Sequence, residues 1–215
     1  MQFQDFIKYI PKIEKEKLLA EDAHAKMAPL ERISFLKEEN YLDKNPREAA
    51  VLMLFYPKDK ETHLALIVRN TYPGVHSSQI GFPGGKVEVT DKNLEETALR
   101  ETHEEVGVSP EKVEIIKPFS KIYIPPSNFL VSPFMGISHH ELSFIPDLDE
   151  VKRVLEFPLV QFLDENRITR VKMTTSYATD IEVPAFMVDK YIVWGATAMM
   201  MSELKETIKV VLNSV

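Results

Sequence analysis

The sequence contains no cysteine, and this absence excludes disulfide bonds, thiolate catalysis and zinc sites built on cysteine. Long apolar runs are also missing. The longest clean one, residues 49–56, is much shorter than the roughly 20 residues that a membrane span needs, so it predicts a buried strand. The first residues show no basic segment followed by an apolar one, which argues against a signal peptide. We therefore expect a cytoplasmic protein without a membrane partner.

Basic residues are fewer than acidic ones, with 26 lysines and arginines against 33 aspartates and glutamates, so the formal net charge at pH 7 is −7. A protein that binds nucleic acid broadly would carry a basic face, so no nucleic-acid partner is expected. The same negative charge would repel an anionic substrate at long range. A divalent cation held by acidic residues would reverse the field locally, where phosphate groups would bind. At 215 residues the chain suits one domain with peripheral additions.

One stretch in the middle of the chain carries clear helix boundaries. Asn93 is a suitable N-cap, and Glu96 three residues later completes a capping box. Gly107 follows as a C-cap glycine, so the helix should span about residues 94–106. Upstream of it, Gly84 and Gly85 form a turn in which the backbone can approach a ligand closely.

Three glutamates lie near the end of this predicted helix. With about 3.6 residues per turn, Glu101, Glu104 and Glu105 share one face. Acidic residues on a helix are usually just a solvated face, but here they follow a Gly-Gly turn, and adjacent carboxylates repel one another unless a cation neutralises them. Oxygen ligands without histidine or cysteine suit Mg²⁺ or Mn²⁺, so we assign the metal to these glutamates. Arg100 is expected to pair with Glu104 or Glu96.

A family resemblance follows from these residues. Gly85 and residues 100–108, Arg-Glu-Thr-His-Glu-Glu-Val-Gly-Val, resemble the Nudix box, the signature of Mg²⁺-dependent hydrolases of nucleoside diphosphates linked to another group. The resemblance implies an α/β/α sandwich with a mixed β-sheet between helices. In two departures, Asp91 replaces a glutamate, and the eight residues 92–99 before Arg100 are one more than the general pattern has. That extension is common in the coenzyme A (CoA) pyrophosphatase branch.

The segment upstream of the box, residues 76–86, resembles the run that marks the same branch. The resemblance implies a substrate-binding set made of Arg69, His76, Gln79, Phe82, Gly84, Gly85 and Lys86. The chain departs from the branch pattern at Asn70, Gly74 and Ser78. Gly74 stands where an arginine is expected, and His76 is the candidate replacement for that cation. Arg69 also ends a predicted strand just before this loop, a suitable place for an arginine that binds phosphate.

The resemblance and the apolar patterns together divide the chain at residue 45. Residues 1–45 are predicted to form an amphipathic helical arm, interrupted by Pro11, that serves as a dimer contact, as a flap beside the site or simply as packing on the domain. If it is a dimer contact, the protein is a homodimer. Residues 46–215 form the predicted Nudix domain. Its late strand, residues 191–195, should close the sheet, and a C-terminal helix should run from Trp194 to about Leu212.

The reaction that the resemblance implies is cleavage of CoA, or of a CoA derivative, to 4′-phosphopantetheine and adenosine 3′,5′-bisphosphate. The metal ion would lower the pKa of a bound water, and the general base would be Glu104, Glu105, Glu150 or another loop residue. The Pro-Pro-Ser-Asn turn, residues 125–128, resembles a loop near the substrate in the same branch.

Two alternative functions stay open. One is a Nudix diphosphatase of ADP-ribose or NADH, and the other is a Nudix domain that binds a ligand as a regulator without catalysis, which the complete glutamate set disfavours.

Overall fold

Eight strands form one mixed sheet and three more form a small antiparallel sheet in the part of the chain that the computed structural model describes, residues 1–37, 40–70, 79–174 and 180–214. In chain order the strands are β1 (Arg47–Lys58), β2 (Glu61–Arg69), β3 (Ile80–Gly81), β4 (Gly84–Lys86), β5 (Glu114–Pro118), β6 (Ile122–Ile124), β7 (Phe129–Ile137), β8 (Val151–Pro158), β9 (Ile168–Met173), β10 (Ile181–Val188) and β11 (Tyr191–Trp194). The α-helices are α1 (Phe3–Phe6), α2 (Ile10–Lys15), α3 (Glu21–Ala25), α4 (Leu94–Val106), α5 (Leu159–Leu163) and α6 (Gly195–Asn213).

The central strand β1 explains the layered architecture. It pairs antiparallel with β2 and β4 on one side and parallel with β7 on the other, which makes the sheet mixed. Its side chains alternate between two cores. Leu52 and Leu54 pack on the face covered by α4, whereas Met53 and Phe55 pack on the face covered by α6 and the N-terminal arm. The predicted α/β/α sandwich with a mixed sheet is therefore confirmed.

The strands around the candidate site separate near the end of β2. There β2 pairs with β3, with Val68 opposite Ile80, while β4 returns to β1, with Gly84 opposite Val51. The far edge of β2 is covered by β8. This separation leaves residues 80–86 between the ends of β1 and β2, and β4 there contacts α4.

The N-terminal arm packs on the sheet. Phe3, Phe6 and Ile13 are buried in the core, and the Phe3 N–H donates to the Lys60 carbonyl at 2.8 Å, which ties α1 to the β1–β2 turn. Pro11 lies in the first turn of α2, where its missing N–H leaves no helical bond unmade. It therefore starts a helix rather than interrupting one. The domain boundary at residue 45 stays a prediction.

The C-terminal helix α6 begins and ends within one residue of its predicted bounds. Its three consecutive methionines, residues 199–201, are buried, and Met199 and Met201 are fully so, which places this part of the helix in the core. The expectation that residues 191–195 close the main sheet is wrong, because β11 pairs with β10 in the small sheet. Within the described ranges, no helix has the length and apolar character needed to cross a membrane.

A buried carboxylate on α6 joins the arm to the rest of the chain. Glu203 accepts hydrogen bonds from the Ala20 N–H at 2.7 Å and from the Ser120 hydroxyl at 2.6 Å, and the His24 ring lies 3.4 Å away. These contacts hold Ala20 at a φ of 45°, a conformation that is costly for a residue other than glycine. Burial raises the pKa of Glu203, but the His24 ring and the bonds from Ser120 outweigh burial and leave the pKa below its ordinary value.

Candidate active site

The helix that carries the glutamates begins and ends where its sequence predicts. The Asn93 side chain accepts a hydrogen bond from the Glu96 N–H at 2.8 Å, and Gly107 ends the helix with a φ of 72°. The capping box differs in one detail, since the Glu96 carboxylate accepts from the Lys92 N–H at 2.7 Å rather than from that of Asn93. These local bonds set the rotation of α4 and hence the direction of its acidic face.

Glu105 connects α4 to the two strands below it. Its side chain is 1% exposed and accepts hydrogen bonds from the Gly84 N–H at 2.8 Å and from the Arg69 guanidinium at 3.0 Å. A second nitrogen of Arg69 donates to the Gly84 carbonyl at 2.8 Å. Burial raises the pKa of Glu105 to about 7, even though Arg69 and Gly84 favour the ionised carboxylate. Glu105 is therefore a fixed acidic group at the junction of α4, β2 and β4.

Glu101 occupies space that only glycine at position 85 leaves open. A Cβ on Gly85 would lie 2.3 Å from an Oε atom of Glu101. Burial raises the pKa of the Glu101 carboxyl, the bond from Arg100 lowers it, and the charges of Glu104 and Glu150 raise it again. The Gly-Gly turn thus serves the acidic centre directly, because it admits the carboxylate against the backbone of β4.

Arg100 organises the opposite side of the acidic centre. It binds both carboxylate oxygens of Asp91, at 2.9 and 3.0 Å, and also reaches Glu101 at 3.0 Å and Glu104 at 2.8 Å. The hydrogen bonds from Arg100 hold the pKa of Asp91 well below its usual range. The predicted pairing with Glu104 is confirmed. The alternative pairing with Glu96 is wrong, since that side chain caps the helix at Lys92 instead.

The loop before β8 brings a further acidic residue to this centre. It closes over the C-terminal end of α4, where the Asp147 N–H donates to the Glu105 carbonyl at 3.0 Å. The Asn70 N–H donates to the Glu150 carbonyl at 2.7 Å and fixes the Glu150 backbone beside the end of β2. The Glu150 side chain is exposed, and its charge raises the pKa of Glu101 and of Glu105. A residue distant in sequence is thereby placed near the helix glutamates.

The donor set indicates whether a divalent cation suits these residues. Glu101, Glu104 and Glu105 supply hard oxygen atoms, and the raised pKa values of Glu101 and Glu105 indicate carboxylates that a nearby cation would stabilise. Across the described ranges, no three acidic or histidine side chains converge closely enough to hold a metal ion as they stand. Glu101 and Glu104 bind Arg100 instead, and Glu105 binds Arg69. The residue types therefore fit the ion, and binding it requires a change of side-chain rotamer.

A cavity of about 510 Å³ lies on the other face of the sheet, the one covered by α6. Its lining includes most of the predicted substrate-binding residues, namely Arg69, Gln79, Phe82, Gly85 and Lys86. Gly84 does not line it and instead binds Glu105 and Arg69 through its backbone. The position of His76 lies outside the described residues. Pro126, from the Pro-Pro-Ser-Asn turn, also lines the cavity.

The sequence did not predict which residues line this cavity from the small sheet, from α6 and from the N-terminal arm. Trp194, Thr197 and Met200 line it from the end of β11 and the start of α6, and Arg32 lines it from the N-terminal arm. The sequence identified the strand-to-helix junction at Trp194, but no local pattern indicated that this junction lies beside β3. A hydrogen bond from the Thr197 hydroxyl to the Ile80 carbonyl, at 3.0 Å, makes that connection.

The overall architecture is similar to that of solved structures. A Nudix hydrolase from M. smegmatis, RenU, matches with a TM-score of 0.53 at 15% identity, over 77% of this chain and 87% of that one. A MutT/nudix family protein from Enterococcus faecalis matches with a TM-score of 0.50 at 16% identity, over 88% of this chain and 73% of that one. At these identities the likeness concerns the fold alone.

Sequence relatives and a family model extend the comparison. The model described as NUDIX domain matches residues 45–174. The "Uncharacterized Nudix hydrolase NudL" of Enterobacter sp. (strain 638) is 36% identical over 164 residues, which are 74% of this chain and 82% of that protein. Its namesake in Klebsiella pneumoniae (strain 342) is 35% identical with the same coverage. Such enzymes act on diphosphate bonds of nucleoside diphosphate-linked substrates and generally use a divalent metal ion. This chain belongs to the Nudix hydrolase family.

Proposed function

We propose that this protein hydrolyses the diphosphate bond of CoA or of a CoA derivative, with Mg²⁺ or Mn²⁺, to give 4′-phosphopantetheine and adenosine 3′,5′-bisphosphate. The observation that carries the proposal is the double role of Arg69. Its guanidinium binds Glu105 of the acidic centre. Its side chain also lines the cavity, together with most of the other predicted substrate-binding residues. A diphosphate that bridges the acidic centre and the cavity would have this arginine beside it.

The acidic centre supplies the metal site in this proposal. Glu101, Glu104 and Glu105 would hold the cation, which supplies charge neutralisation of the diphosphate and a bound water of lowered pKa. Arg69 then offers charge-assisted hydrogen bonds to phosphate oxygens, which suit its planar guanidinium. Lys86, exposed at the cavity wall, adds a second cation for the same phosphates. These groups reduce the repulsion that an incoming hydroxide meets.

Glu150 is the general base that the contacts favour. Glu105 is buried and accepts bonds from Arg69 and Gly84, and Glu104 accepts one from Arg100. The Glu150 carboxylate accepts no hydrogen bond from any described residue, and its backbone is anchored by the bond from Asn70. An exposed carboxylate on a fixed backbone is suited to take a proton from water at the acidic centre.

A matched pair of variants tests the role of Glu150. Glu150→Gln should lower kcat by roughly 100-fold to 10,000-fold, the usual contribution of a general base, with little effect on KM. Its exposed neighbour Asp149 provides the control, since Asp149→Asn removes one carboxylate from the same loop. Equal rates for the two variants would remove Glu150 from this role and return it to Glu104, Glu105 or another loop residue.

The substrate is tested by incubating the protein with Mg²⁺ and, separately, CoA, acetyl-CoA, ADP-ribose and NADH, with the products identified by mass. Phosphopantetheine compounds from the CoA substrates alone would support the proposal and would mean that glycine at position 74 is tolerated. AMP from ADP-ribose or NADH would instead favour the alternative diphosphatase. No product from any compound, with Mn²⁺ also tried, would contradict the proposal and favour an untested substrate or a regulatory role.

A further inference from the structure

We infer that the cavity on the α6 face binds the adenosine half of the substrate, with the base stacked on Trp194, and that the pantetheine half lies outside it. The inference rests on the proposed function and adds to it which half of the molecule the cavity recognises. Two of the residues it uses, Arg32 and Trp194, lie outside the matched family segment, 45–174. Three independent features of the cavity support it: its charge, its tryptophan and the way that tryptophan is fixed.

The charge of the cavity differs in sign from the charge of the chain. Arg32, Arg69 and Lys86 line it, and none of the described lining residues is a carboxylate, although the whole chain has a net charge of −7 and Arg69 pairs with Glu105 beside the cavity. The pantetheine arm is uncharged. The adenosine half carries the 3′-phosphate, a group with a charge of about −1.5 to −2 near neutral pH. Arg69 and Lys86 serve the diphosphate, which both halves share, so Arg32 is the lining cation that complements the 3′-phosphate of the adenosine half.

The lining of the cavity also includes a tryptophan. Trp194 is the single tryptophan of the sequence, and its half-buried side chain lines the cavity. The apolar side chains of Val51 on β1 and Val131 on the neighbouring β7 also line the cavity. An indole in a cavity that also has apolar lining suits a flat heteroaromatic base, because base–aromatic stacking depends on overlap of the ring faces.

The position of Trp194 is held by bonds on both sides. Its backbone pairs with Ala185 of β10 at the last register position of β11. Gly195 then turns the chain with a φ of 64°, and the Thr197 hydroxyl bonds the Ile80 carbonyl of β3 at 3.0 Å. The start of α6 is thereby attached to the strand that forms the cavity wall. A backbone fixed in this way reduces the entropy that is lost when a base stacks on the Trp194 side chain.

One consequence concerns substrates modified at the thiol. If the adenosine half occupies the cavity, the thiol end of CoA points away from it. An acetyl group on the thiol then meets no wall of the cavity, and CoA and acetyl-CoA should have kcat/KM values within a few-fold of each other. A dephosphorylated CoA, which lacks the 3′-phosphate, should instead have a raised KM, since the cationic lining loses its partner.

The tryptophan itself provides the test, because its fluorescence can be excited without exciting tyrosine. The full-length protein is titrated with adenosine 3′,5′-bisphosphate and, separately, with 4′-phosphopantetheine. We expect the first ligand to quench the emission saturably and the second to leave it unchanged. Quenching by 4′-phosphopantetheine alone, or CoA turnover without quenching by the bisphosphate, would overturn the inference.

Variants separate stacking from general structural damage. Trp194→Phe keeps an aromatic face and should retain KM for CoA within a few-fold, although the fluorescence signal is lost. Trp194→Leu removes stacking and should raise KM by about 5-fold to about 150-fold, with a smaller effect on kcat. Tyr191→Leu is the control, since it removes an aromatic residue from the same strand but not from the cavity lining. Equal KM values for Trp194→Leu and Tyr191→Leu would refute the assignment.

The outcomes distinguish this inference from the proposed function. If CoA is hydrolysed and only 4′-phosphopantetheine quenches, the function stands and the orientation is reversed. If CoA is not hydrolysed but the bisphosphate and AMP both quench, the adenosine site stands and the substrate is another adenosine compound. If the Trp194→Leu protein does not fold, the titration of the unmodified protein still decides the question.

Discussion

Two neighbouring glycines should respond in opposite ways to the same substitution. At Gly84, φ is +145°, and a Cβ would lie 2.3 Å from the Ala50 carbonyl oxygen and 2.5 Å from the Val51 Cα, which are backbone atoms of the central strand. At Gly85, the three atoms nearest to a Cβ would all belong to the end of the Glu101 side chain, at 2.3 to 2.7 Å. The clash at Gly84 involves backbone atoms of the central strand, which cannot move without disturbing the sheet. The clash at Gly85 involves a carboxylate, which can change its rotamer.

The magnitudes follow from these contacts. For Gly84→Ala, a glycine-only backbone conformation costs roughly 1–3 kcal/mol and the overpacking a similar amount, together about 4 kcal/mol. For a chain of this length that loss lowers Tm by about 8–16 °C. For Gly85→Ala, the displaced Glu101 gives up a partly exposed pair with Arg100, which costs about 1 kcal/mol or less, so Tm should change by less than about 4 °C.

For activity we expect the opposite ranking, because the more stable variant, Gly85→Ala, should lose more catalytic rate than its stability suggests. Gly85→Ala moves a carboxylate of the proposed metal site, and displacements of about 1 Å in catalytic groups cost roughly 100-fold in rate. We therefore expect a stable Gly85→Ala protein with kcat reduced about 100-fold, and a Gly84→Ala protein that is mainly unstable. The assay compares thermal unfolding with hydrolysis of the best substrate of the panel. A fully active Gly85→Ala enzyme, or a Gly84→Ala enzyme with unchanged Tm, would refute the reasoning.

Three further predictions concern stability and the metal. Glu203→Gln should lower the free energy of unfolding by about 1–3 kcal/mol near neutral pH. Because the pKa of Glu203 is lower in the folded than in the unfolded state, this contribution is present above the unfolded value of about 4.3 and is lost as pH falls through the folded value. Urea unfolding of the unmodified protein and of Glu203→Gln should therefore show a difference in the free energy of unfolding that is smaller in acid than near neutral pH. An equal difference at acid and neutral pH would contradict a stabilising role of the ionised carboxylate. Asn93→Ala should cost about 1 kcal/mol of stability through loss of the helix cap, with kcat unchanged, and a large fall in kcat would contradict a purely structural role. A chelator should stop turnover and added Mg²⁺ or Mn²⁺ should restore it, whereas full activity in chelator would contradict a metal-dependent reaction.

The parts of the fold that the sequence predicts are those specified by local signals. The helix α4 begins after an asparagine cap and ends at a glycine with a φ of 72°, and both signals lie within a few residues of the bonds they make. The predicted buried strand at residues 49–56 lies within β1, since a continuous apolar run covered on both faces has little freedom. The metal-binding and catalytic assignments remain predictions.

The parts that the sequence does not predict depend on contacts between distant segments. Helical spacing offered Arg100 only partners one turn away, but its bidentate partner is Asp91 in the preceding loop. The strand β11 was expected in the main sheet, but it belongs to the small sheet because it pairs with β10. The cavity lining at Trp194 depends on the bond between Thr197 and Ile80, 117 residues apart. No periodicity within one segment contains that information.

The central claim is that the acidic face of α4 is a diphosphatase centre for CoA. The most direct measurement compares CoA hydrolysis with Mg²⁺ by the unmodified protein, by Glu104→Gln and by Glu95→Gln, with products identified by mass. Glu95 is an exposed carboxylate in the first turn of the same helix and serves as the matched control. We predict 4′-phosphopantetheine from the unmodified protein and from Glu95→Gln, and almost none from Glu104→Gln at an unchanged Tm. Intact CoA in every sample, or equal rates for the two variants, would contradict the account.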